Sequence, residues 1–68
     1  MASYQSNVKE HRERKGWSQE ALARELGVSR QTVVNIERGV NEPRVFLAIA
    51  LATVLGVAVG ELFRRGAK

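Results

Sequence analysis

Only three residues, Gly27, Val28 and Ser29, separate two stretches with helical spacing, and this connection is the tightest constraint on the fold. Before it, Leu22, Ala23 and Leu26 occupy the i, i+1, i+4 positions of a buried stripe, with Ser18 placed as an N-cap. After it, Ser29 is the next N-cap, and Val33 and Ile36 share a face while Arg30, Gln31, Thr32 and Asn35 present polar side chains elsewhere. Helices joined so closely have no room to turn back side by side, so they must cross steeply. Ala23 is small where the two approach, Gly27 permits the turn, and Val28, Val33 and Ile36 tie the pair to a core.

The rest of the chain reads the same way. Glycines 16, 27, 39 and 56 each follow a stretch of helical spacing, at the place where a left-handed residue closes a helix. A first helix is expected over about Gln5–Lys15 around Val8, a fourth over Arg44–Leu55 after Pro43, and a fifth over Ala58–Arg64. No run shows the alternation of a strand, so the expectation is all-α. With no linker and no internal repeat, residues 1–68 form one domain. His11 reads as a helix-edge residue and Trp17 as core packing between the first two helices.

A chain of 68 residues buries only about 60% of its unfolded surface. Cysteine is absent, which removes disulfide and thiolate-metal support, fits a reducing cytoplasm, and leaves a partner subunit as the source of extra stability. The fourth helix makes the same demand. Val45, Phe46, Leu47, Ile49, Ala50, Leu51, Val54 and Leu55 make it apolar almost all round, more than one small domain can cover. A two-fold interface including Phe46, Ala50, Val54, Val59 and Phe63 is therefore expected, with helices four and five (about 44–64) serving both core and dimerisation.

Eleven Lys and Arg against seven Asp and Glu give a net charge of +4, spread along the chain, which suits a polyanionic partner. Residues 1–14 lack the apolar centre of a signal peptide, and the sixteen uncharged residues of Val45–Gly60 are too few and too glycine-interrupted for a span. A cytoplasmic location and no membrane partner are expected. His11 is the only histidine and has no partners for a metal site, while Ser18 and Ser29 lack a catalytic base. The reading is of a non-enzyme with no cofactor and no metal.

A steeply crossed pair through a short glycine turn, here Gln19–Arg38, is the helix-turn-helix arrangement, whose second helix enters the major groove of DNA. Arg12, Gly16-Trp17-Ser18-Gln19-Glu20, Leu22-Ala23, Leu26-Gly27-Val28-Ser29, Thr32-Val33, Ile36-Glu37, Gly39, Pro43, Leu55-Gly56-Val57 and Glu61-Leu62-Phe63 together resemble the XRE family of lambda-repressor-like domains. The resemblance covers about Asn7 to Phe63 and implies a compact five-helix fold, a bacterial or phage origin and regulation of promoters. It implies that Gln19 hydrogen-bonds the DNA backbone and braces the recognition helix, and that Arg30, Gln31 and Asn35 contact bases. The chemistry agrees, since Arg pairs with guanine and Gln or Asn with adenine through two hydrogen bonds each. Ser29 and Thr32 beside them, and Arg38, Asn41 and Arg44 after the recognition helix, are candidate backbone contacts. Arg12 and Glu37 match a largely buried structural salt bridge of the family. Arg44 and Ala58 stand where the family commonly has a capping Ser or Thr.

One recognition helix reads too few base pairs to select a site, so a homodimer on a palindromic operator of double-stranded DNA is expected. No small-molecule effector is expected, because the chain leaves no room for a domain to bind it, and the dimer equilibrium would set the response instead. Two alternatives stand beside this transcriptional regulator, a repressor or autoregulator. One is an antitoxin-like subunit that binds a protein partner and DNA secondarily; the other is a membrane-surface module.

Overall fold

The computed structural model describes residues 4–40 and 43–65, and for 64 and 65 the backbone only. In chain order the elements are β1 (Tyr4–Ser6), α1 (Val8–Arg14), α2 (Gln19–Leu26), α3 (Arg30–Arg38), α4 (Val45–Leu55), α5 (Val59–Leu62) and β2 (Phe63–Arg65). The caps act as the sequence implies. Ser18 Oγ accepts from the Ala21 N–H at 3.0 Å, and Ser29 Oγ accepts from the Thr32 N–H at 3.2 Å, so both helices of the central pair start on a side-chain acceptor.

Gly27 makes the turn between them. At φ +73° it is left-handed, which lets its own N–H reach Arg24 O at 3.2 Å and the Val28 N–H reach Ala23 O at 3.0 Å. This double closure satisfies the last carbonyls of α2 and redirects the chain within three residues. The other glycine stops, Gly16, Gly39 and Gly56, are left-handed as well. Arg44 and Ala58 give α4 and α5 no side-chain cap, as the departures from the family pattern imply.

The core draws on every helix: Val8, Leu22, Ala23, Val33, Ile36, Leu51, Ala52, Leu55 and Leu62 are buried together. Around it Trp17, Leu26, Val28, Leu47, Val54, Val57 and Phe63 are partly buried. α2 packs against both α3 and α4, so the central pair is held from behind while the outer side of α3 stays open.

The expectation of no strands is corrected. β1 and β2 pair antiparallel in the register Tyr4↔Arg65, Gln5↔Arg64, Ser6↔Phe63. The first helix therefore begins at Val8 rather than near Gln5, and the fifth ends at Leu62 rather than Arg64. Asn7 forms the junction: its N–H donates to Leu62 O at 2.7 Å and its Nδ2 to Glu61 O at 3.1 Å, which satisfies carbonyls at the end of α5. Tyr4 is buried, packs its ring edge-on to Phe63 at 5.5 Å, and donates its hydroxyl to Ile36 O in α3 at 3.2 Å. Among the described residues no helix is long and apolar enough to cross a membrane.

Candidate nucleic-acid interface

The outer side of α3 carries the side chains singled out for base contact. Arg30 and Gln31 are exposed and Asn35 is half-buried. Gln31 and Asn35 lie one helical turn apart, and Gln31 Nε2 donates to Asn35 Oδ1 at 3.0 Å. Each amide can still donate and accept further hydrogen bonds, so the pair presents a pre-set pattern of both kinds.

Arg30 belongs to a relay that starts in the protein interior. Arg12 Nε donates to Glu37 Oε2 at 2.6 Å, with the two side chains 9% and 5% exposed. The same guanidinium donates from Nη1 to Trp17 O at 2.7 Å, so the buried cation has a second acceptor. Glu37 Oε1 accepts from Gln19 Nε2 at 3.0 Å, and Gln19 Oε1 in turn accepts from Arg30 Nε at 3.3 Å. A carboxylate only accepts, so Glu37 fixes which end of the Gln19 amide turns toward it. The amide oxygen is left facing α3, where a guanidinium donor stands. Gln19 thus links Arg30 of α3 to a buried ion pair. Among the described residues no buried side-chain nitrogen or oxygen lacks a hydrogen-bond partner.

The candidate backbone contacts fall in two groups. Ser29 Oγ serves as the α3 cap and lies 3.0 Å from Thr32 Oγ1, which places two hydroxyls at the α3 N-terminus. Arg38 and Arg44 are exposed, at the end of α3 and the start of α4, and Asn41 lies outside the described residues. Trp17 packs against the core as expected, and Lys15 Nζ lies 5.5 Å from its ring centroid, a cation–π contact that the sequence reading did not include. His11 is half-buried on α1, and among the described residues no group of side chains suits a metal ion.

The expected apolar face divides. Phe46 is 86% exposed and Val59 40%, whereas Val54 and Phe63 pack on the core and Ala50 is half-buried. Phe63 is drawn inward because β2 begins there and Tyr4 covers its ring. Val45 and Ile49, which the expected interface left out, are 70% and 50% exposed. Their spacing to Phe46 places all three on one side of α4, a signal the sequence held but the all-round apolar character concealed.

Residues 8–62 match the family HTH_3, described as Helix-turn-helix. Over 58 residues the chain is 40% identical to an uncharacterised HTH-type transcriptional regulator of Methanocaldococcus jannaschii, covering 85% of this chain and 88% of the relative. Its fold is similar to that of the restriction-modification controller protein C.AhdI from Aeromonas hydrophila, with TM-score 0.76, 38% identity, and 84% and 86% of the two chains covered. It is also similar to SinR, described as the master regulator for biofilm formation and solved in complex with DNA, with TM-score 0.71, 31% identity, and 78% and 86% covered. On the match to residues 8–62 and on these relatives, the chain belongs to the helix-turn-helix family of XRE-type transcriptional regulators.

Proposed function

We propose that this protein is a sequence-specific, double-stranded-DNA-binding regulator that acts in the cytoplasm as a homodimer on a palindromic operator, without catalysis or a small-molecule effector. The observation that carries the reading is the exposed side of α3, where Arg30, Gln31 and Asn35 stand on a helix braced through Gln19 to a buried ion pair. A rigid helix with bidentate-capable side chains on its open face has the chemistry of major-groove readout. The similarity to a DNA-bound relative supports it. Arg30, Gln31 and Asn35 contact bases, while Gln19, Ser29, Thr32, Arg38, Asn41 and Arg44 engage phosphates and fix register.

Two copies are needed because one helix contacts only a few base pairs. Repression follows where such an operator overlaps a promoter.

The test is selection from a random duplex library, followed by titration of enriched sites at two salt concentrations. A palindrome with half-sites about one turn, ~34 Å, apart supports the proposal. Steeply salt-dependent binding without enrichment leaves only the phosphate attraction and overturns the sequence-specific reading. The exposed apolar side of α4 would then favour the antitoxin-like alternative, a subunit that binds a protein partner.

A further inference from the structure

The relay behind Arg30 has a direction, and that direction is set in the interior. An amide has two ends of nearly equal shape, one donating and one accepting, so the chemistry of its neighbours decides how it turns. Both neighbours of Gln19 turn it the same way. The Glu37 carboxylate only accepts, and takes Gln19 Nε2 at 3.0 Å; the Arg30 guanidinium only donates, and gives Nε to Gln19 Oε1 at 3.3 Å. Glu37 is itself fixed, because its other oxygen is held by Arg12 Nε at 2.6 Å and its side chain is 5% exposed.

Arg30 is exposed at the first position of α3. A free arginine there would sample many rotamers and lose that freedom on binding. With Nε given to Gln19, the edge of the guanidinium that includes Nε is occupied, and the two Nη groups remain as a pair of parallel donors. In the major groove guanine presents two acceptors, N7 and O6, side by side, whereas adenine presents one acceptor and one donor. Two parallel donors match guanine and meet a donor at adenine.

On the DNA-reading function proposed above, on which this rests, we infer that Glu37 is a positioning residue for base recognition. Through Gln19 it holds Arg30 with the Nη edge free for the groove, and so sets a guanine preference at one base pair that Glu37 never touches. Gln31 and Asn35 stand outside the relay, hydrogen-bonded to each other. The base pairs they meet do not depend on Glu37.

Glu37→Gln tests this by reversing the relay. Arg12 keeps the oxygen of the introduced amide, whose NH2 then faces Gln19; Gln19 turns its oxygen to meet it and presents its own NH2 to Arg30, donor against donor. Base preference is read at every position from the selected duplex and its single-base-pair variants, with folding checked by circular dichroism. The unmodified protein is expected to favour guanine roughly tenfold or more at the position where Arg30→Ala abolishes the preference. Glu37→Gln is expected to remove most of that preference and to leave the ratios at other positions unchanged. Gln19→Ala, which breaks the link without touching the ion pair, is expected to do the same. The double exchange Gln19→Glu with Glu37→Gln again offers Arg30 an acceptor, and is expected to recover the guanine preference while weakening all sites alike, since it adds a negative charge near the DNA backbone.

A preference that survives in Gln19→Ala or in folded Glu37→Gln overturns the role of Glu37 and leaves sequence-specific binding intact. So does a loss spread evenly over all positions, a folded double exchange that recovers nothing, or an Arg30→Ala variant that changes no position. An unmodified protein without base preference anywhere overturns both.

Discussion

Gln31 and Glu37 lie on the same helix, yet they answer to different physics. Gln31 is exposed, and its hydrogen bond to Asn35 runs sideways along α3, so its removal leaves the core untouched. Gln31→Ala is expected to weaken binding to the selected site by about 1–3 kcal/mol with an unchanged melting curve; unchanged affinity would remove it from the readout. Arg38→Ala provides the contrast: it is expected to weaken all duplexes alike and to reduce the salt slope by about one, and an effect confined to one base position would contradict a phosphate contact. Glu37 holds a buried guanidinium at 2.6 Å and orients Gln19. Glu37→Ala is expected to cost about 3–5 kcal/mol, a large part of the stability of a domain this small, read by urea denaturation. A loss under about 1 kcal/mol would mean that water or another side chain replaces the carboxylate.

Among the elements, what was legible in the sequence is what local chemistry sets. Ser18 and Ser29 as caps, Gly27 as the turn and Val33 with Ile36 as the inner side of α3 could be read because each depends on neighbours a few positions away. β1 and β2 were not legible: three residues show no alternation, and their pairing depends on segments about sixty positions apart being brought together by everything between. The exposed apolar side of α4 was half legible. Composition marked α4 as over-apolar, but only packing shows that Val54 and Phe63 turn inward while Val45 and Ile49 turn out. The unequal caps make a prediction at this scale. Ser29→Ala is expected to cost about 1 kcal/mol, and Arg44→Ser to gain about 0.5–1 kcal/mol by giving α4 the acceptor it lacks. Denaturant midpoints check both; a destabilised Arg44→Ser would show that the arginine stem contributes more than a cap would.

In the molecule as a whole, Tyr4 ties the first described residue to the middle of the chain and to its end. It reaches α3 through Ile36 O and β2 through Phe63. Tyr4→Ala is expected to cost about 3–5 kcal/mol, measured as a lowered midpoint; a shift of a few tenths would show that the ribbon is an ornament on an independent core. With Tyr4 paired to Arg65, the polypeptide almost completes a circuit. A short linker from residue 65 to residue 4 would close it into a ring, and cutting that ring at an exposed turn would give a circular permutant with the same reading helix and the same core. Linear order is thus nearly a convention for this fold: the recognition surface depends on which segments are neighbours in space, and it would keep its form if the gene began elsewhere.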